Sequence, residues 1–131
     1  MNNRNICKAK RKDTNEWIEG YYVCLNRKRH LIYTGYAEID SGEYYPDYHE
    51  VIPKTVVRCT GLEDKNGNLI FEGYICKHRS NCSDKFVISV VTYTDGHFLA
   101  LVNEHSGFEL SEKLEIIGNI HDNPELLEVK R

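Results

Sequence analysis

Alanine is almost absent from this chain, which has only Ala9, Ala37 and Ala100, and there is a single methionine. A helical bundle needs strong helix formers along its faces, so both shortages weigh against one. No apolar run approaches the roughly eighteen residues that a membrane span requires. The opening "MNNRNICKAKRK" also lacks the apolar core of a secretory signal. No membrane partner is expected. The five cysteines, Cys7, Cys24, Cys59, Cys76 and Cys82, are odd in number and contain no C-x2-C knuckle. With no compact spacing pattern and no export signal, they read as reduced cytosolic thiols. No glycine-rich loop feeds a helix N-terminus, and no serine sits in a nucleophile elbow, so neither a phosphate-cradling loop nor a recognisable catalytic constellation is present. The expectation is a protein without enzymatic activity and without a cofactor.

What the chain does contain is β-forming material. Nine Tyr, four Phe and one Trp, with frequent Val and Ile, favour strands. At 131 residues the length suits one domain or two very small ones, large enough to build a core unaided. Charge is unevenly spread. Residues 1–30 hold eight Lys/Arg against three acids, and the remainder holds nine against seventeen, within a net charge of −3. Such a split marks either a docking face or charges that pair across the fold.

Along the chain, "ICKAKRK" reads as an edge strand protected by its lysines, "DTNE" as a turn, and "WIEGYYVCL" as the return strand with a bulge at Gly20. "NRKRH" makes the next turn and "LIYTGYAEI" a third strand. These form an amino-terminal meander over residues 1–59. Within it, the stretch from 36 to 50 reads as a long loop, because "DSGEYYPDYHE" shows turn residues and no clear period. Residues 60–131 form a second, mainly β part that shares a core with the first. "DKFVISVVTYTDGHFLALV" is a hairpin around Asp95-Gly96, a dipeptide suited to the positive φ angles of a type I′ turn. "KLEIIGNI" is a further strand, and "NPELL" begins one short carboxyl-terminal helix or helical turn.

Candidate sites follow from residue chemistry. Cys76, His78 and Cys82 form C-x-H-x3-C, and the first two share a strand face, so they are weak metal-ligand candidates; buried apolar cysteine is the plainer reading. Lys8, Lys10, Arg11, Lys12, Arg27, Lys28 and Arg29 could line a nucleic-acid surface, with Trp17, Tyr21 and Tyr22 for stacking. Tyr36, Tyr44, Tyr45 and Tyr48 sit in a segment, residues 30–53, with five acids and no Lys or Arg. Tyrosine gives large amphipathic contact area at low entropic cost, so this segment is a candidate protein-docking surface. Glu63 and Asp64 adjoin a turn, where solvated acids are ordinary. Gly61, Asn66, Gly67, Gly73, Asp95 and Gly96 are structural turn residues.

The segment "TGLEDKNGNLIFEGYIC" and the tail "LEIIGNIHDNPELL" closely resemble the signatures of the YopX family of phage and prophage proteins. "KAKRKDTNEWIEGYY" and "HEVIPKTVVRCTGL" extend that resemblance over nearly the whole chain. Two positions depart from the family pattern: Tyr74 stands where an aspartate is usual, and Cys59 where an aromatic is usual. The resemblance implies a mainly β protein with an SH3-like roll or barrel in its carboxyl-terminal part. It also implies a phage or prophage origin, and so the cytoplasm of a bacterial host. It implies no particular chemistry, since small barrels host unrelated functions. The expected function is a non-enzymatic interaction module that assembles with itself and meets a host or phage protein. Nucleic-acid binding is the alternative, and a metal-dependent enzyme the remoter one.

Overall fold

The computed structural model describes residues 5–38, 41–79, 85–103 and 106–127. The fold is mainly β, and the chain divides into two compact units, Met1–Arg58 and Cys59–Arg131.

The first unit is an antiparallel meander of β1 (Cys7–Lys10), β2 (Trp17–Leu25), β3 (Arg29–Glu38) and β4 (Tyr44–Glu50). A 3-10 turn, Pro53–Thr55, leads into β5 (Val57–Glu63), whose first residues pair with β1. Two sequence expectations are corrected here. β1 is not an edge, because it is hydrogen-bonded to β2 on one side and to Val57 and Arg58 on the other. The stretch from 36 to 50 is not a long loop: β3 runs through Tyr36 to Glu38 and β4 begins at Tyr44. The turn residues Ser41 to Glu43 are genuine, but the tyrosines around them pair across a hairpin, which a search for strict alternation misses. The bulge expected at Gly20 falls instead in β3, between Tyr33 and Gly35.

The ends of this meander meet. Arg11 bridges Val51, Lys12 N–H donates to the Glu50 carbonyl at 2.9 Å, and Ile52 N–H donates to the Lys10 carbonyl at 2.9 Å. Ala9, Ile32 and Val51 are fully buried inside the closed turn of sheet, with Cys7, Ile18 and Val56 packed against them. Thr55 ties the corner, donating to the Ile52 carbonyl at 2.6 Å while accepting from Lys10 N–H at 2.9 Å. Buried hydroxyls are tolerated when satisfied in this way.

The second unit contains the rest of β5, then β6 (Leu69–Phe71), β7 (Tyr74–Arg79), β8 (Phe86–Thr94), β9 (His97–Leu101), β10 (Gly107–Glu109) and β11 (Glu115–Asn119). Five of these make an antiparallel sheet in the order β10-β9-β8-β7-β11. Thr94 faces His97 across a two-residue turn, and Asp95 and Gly96 take φ of +51° and +86°. The right-handed twist of the strands requires positive φ at both places. The core holds Ile70, Cys76, Val91, Ala100 and Leu114, flanked by Tyr74, Phe98, Leu110 and Ile116. The carboxyl-terminal helix expected from "NPELL" is a single 3-10 turn, Pro124–Leu127. Among the described residues no helix is long and apolar enough to cross a membrane.

Candidate functional site

The segment from Thr60 to Cys76 is organised by a carboxylate that the sequence reading leaves in solvent. Asp64 is buried. Its Oδ1 accepts from the amides of Asn66 at 2.9 Å and Asn68 at 3.0 Å, and its Oδ2 accepts from Ile116 N–H in β11 at 3.1 Å. Burial pushes the carboxyl pKa up, but the three amide donors and the Lys65 charge outweigh burial and hold it below the ordinary value. Lys65 N–H donates to the Leu114 carbonyl at 2.9 Å, so the turn is stapled both to β11 and to the residue just before it. Gly67 N–H closes the turn by donating to the Asp64 carbonyl at 3.0 Å, and only Gly67 takes positive φ. Gly61 and Gly73 also take positive φ. Tyr74, in the place of the family's usual aspartate, packs on Phe71 with ring centroids 5.6 Å apart.

Cys76 and His78 do share the inner face of β7, both buried. Cys76 lies within the apolar core, and burial, aided by the nearby Asp64 charge, raises its thiol pKa to about 12. His78 lies 4.6 Å from Phe108, edge to face. Cys82 lies outside the described residues. Among the described residues no group of three or more His, Cys, Asp or Glu is placed to hold a metal ion. The exposure of the thiols supports a simple expectation. A disulfide reagent at mild pH should modify exposed Cys24 rapidly and leave Cys59 and Cys76 unmodified until unfolding. Mass mapping of early labelling at Cys76 would contradict the assignment.

Four of the seven candidate basic residues are committed to neighbours. Lys8 reaches Glu19 at 3.6 Å, Lys10 Nζ lies 5.5 Å from the centre of the Trp17 ring, and Arg29 reaches Glu50 at 3.7 Å. Arg11 donates two hydrogen bonds to Asp13, at 3.0 and 2.8 Å. Lys12, Arg27 and Lys28 are exposed. Arg27 and Lys28 belong to the β2–β3 turn, where Asn26 and Arg27 take φ of +52° and +59°.

The tyrosines are brought together by register. Tyr21 pairs with Tyr33, and Tyr33 with Tyr48, so three rings stand side by side across β2, β3 and β4. Tyr33 lies 5.1 Å from Tyr48 and 6.1 Å from Tyr36, the latter edge to face. The bulge in β3 turns Tyr36 onto the same side, and strand alternation adds Tyr44, two places from Pro46. Tyr45, opposite Ala37, points to the other side. Tyr36 is 67% exposed and Tyr44 63%. Sequence reasoning singles out Tyr36, Tyr44 and Tyr48 for docking but passes over Tyr33, the ring that joins them. Only pairing register reveals it. Pro46 lies in β4 and cannot donate to an added strand, which guards that strand against edge pairing.

A family model described as "YopX protein" matches residues 8–128. No curated protein matches the chain. Among solved structures it is similar to the "Crystal structure of protein EF1440 from Enterococcus faecalis", with a TM-score of 0.61 and 22% identity, over 92% of this chain and 96% of that one. At that identity the likeness is one of fold.

Proposed function

This chain belongs to the YopX family, and on that premise we propose that it is a non-enzymatic binding module whose tyrosine face docks a second copy of itself. The observation that carries the reading is the exposed ladder of Tyr21, Tyr33 and Tyr48 with Tyr36 beside it. A contiguous aromatic surface of this kind is costly to leave in water, and aromatic side chains dominate the energetics of protein interfaces.

The second copy is chosen on charge. Residues 30–53 carry five acids and no Lys or Arg, so the segment that bears the face suits a basic partner. Each copy carries one in the exposed Arg27 and Lys28 of its β2–β3 turn. Docking turn to face is a head-to-tail contact, which builds rings or open chains rather than a symmetric pair. In the same reading the second unit is an SH3-like roll, supported by its five-stranded antiparallel order. The chain acts in a bacterial cytoplasm on behalf of a phage or prophage, where a host or phage protein could take the same face.

Light scattering at low salt should give a mass above that of the monomer, falling as salt screens the contact. Tyr36→Ser with Tyr48→Ser should return monomers, and so should Arg27→Ser with Lys28→Ser. Mixing the two variants should restore a dimer, because one intact face then meets one intact turn. A wild-type monomer at high concentration and low salt would remove the proposal. Nucleic acid as the occupant of the first unit is less favoured, because Lys8, Arg11 and Arg29 already have acidic partners.

A further inference from the structure

The second unit contains a cavity of about 530 Å³. Among the described residues its wall holds four cations, Lys65, Lys77, Arg79 and Lys113, and two carboxylates, Glu109 and Glu115. Lys65 and Lys77 both approach the same oxygen of Glu115, at 3.5 and 3.9 Å. One carboxylate shared by two ammonium groups leaves positive charge uncompensated. Lys113 pairs with no acid among the described residues.

Two further features point to a ligand. His78 lines the cavity, is only 8% exposed, and its Nε2 has no hydrogen-bond partner among the described residues. Buried polar atoms without partners are rare, because each costs about 1–3 kcal/mol. Phe86, also in the wall, is 56% exposed, and the Lys77 and Arg79 cations lie 4.9 and 5.6 Å from its ring centre. An exposed aromatic ring beside clustered cations is the combination that takes a flat base and its phosphate.

We propose that this cavity binds the phosphate-bearing end of a nucleotide, with Lys77, Arg79 and Lys113 on the phosphate and the base stacked on Phe86. Its volume falls in the range of small-molecule sites, roughly 300–1,000 Å³. The same chemistry is offered by a free nucleotide and by the 5′-phosphorylated terminus of a single strand. This site lies in the second unit and the tyrosine face in the first, so each can fail without the other.

The test is fluorescence anisotropy of a dye-labelled adenosine 5′-phosphate on the full chain, with unlabelled competitors. Saturable binding is expected, displaced by adenosine 5′-phosphate and by inorganic phosphate. Adenosine, which lacks the phosphate, should compete about tenfold less well or worse. Lys77→Gln with Lys113→Gln should weaken nucleotide binding about tenfold or more. Phe86→Ala should weaken the nucleotide while leaving inorganic phosphate unaffected. A 5′-phosphorylated hexanucleotide that outcompetes the mononucleotide assigns the site to strand ends; the reverse assigns it to free nucleotide. No saturable binding, or binding indifferent to the lysine pair, overturns the proposal. Should the double variant fail to fold, inorganic phosphate added to wild type decides the matter: an unmoved ¹⁵N resonance of the His78 ring overturns it.

Discussion

Asp64→Ala is expected to lower the stability of the second unit by about 3 kcal/mol, since it removes at once the acceptor of three half-buried amide hydrogen bonds. Asn66 and Asn68 lose the acceptor that shapes their turn, and Ile116 loses its partner from 52 residues away. Asp64→Asn keeps one carbonyl oxygen but turns an NH₂ group towards an amide, so an intermediate loss of about 2 kcal/mol is expected. Native-state hydrogen exchange at the Ile116 and Asn68 amides reads the effect locally. Alanine variants that exchange no faster than wild type would show that the carboxylate is dispensable.

The same site has a defined pH dependence. The folded carboxyl titrates below its unfolded value of about 3.9. Its stabilisation is therefore complete above that value and disappears as the pH falls through the folded pKa. The gap in stability between wild type and Asp64→Asn should be widest above about pH 4 and should close on further acidification. A gap that widened in acid would contradict the amide-bonded carboxylate.

Gly20→Ala should be the most damaging small substitution in the first unit. A Cβ at Gly20 would lie 2.2 Å from the Tyr33 carbonyl oxygen and 2.8 Å from Ile32 Cγ2. The first obstacle is backbone in a paired strand, which cannot swing aside as a flexible side chain can. A loss of about 3 kcal/mol or more is expected, at the upper end for overpacking. Trp17 lies in the same strand and should report the unfolding by fluorescence during a urea titration. Gly42→Ala is the comparison: nothing lies within 4 Å of its Cβ, and only its φ of +83° opposes a side chain. That costs about 1 kcal/mol. Equal losses at the two positions would mean that close approach is not what Gly20 provides.

Legibility in the sequence tracked the range of the interaction. The Asp95-Gly96 hairpin was readable because turn and flanking strands are neighbours in the chain, and the dipeptide itself dictates positive φ. The β-rich character was readable from composition. The stretch from 36 to 50 was misread because Ser41, Gly42 and Glu43 are true turn residues, while the tyrosines on either side acquire their order only by pairing with each other. β1 was misread as an edge because its alternating lysines suit an edge. Its second neighbour, Val57–Arg58, is some fifty residues away.

By itself, then, the sequence determined a mainly β chain of the YopX family with its local turns in place, since those depend on propensities and on residues close in order. Tertiary structure alone decided that Asp64 is buried, that Tyr33 joins Tyr21, Tyr36 and Tyr48 into one surface, and that His78 shares a cavity with Lys77 and Lys113. Each of these depends on strand register, and register is set by the sum of many weak contacts between distant segments, which no single stretch of the chain encodes.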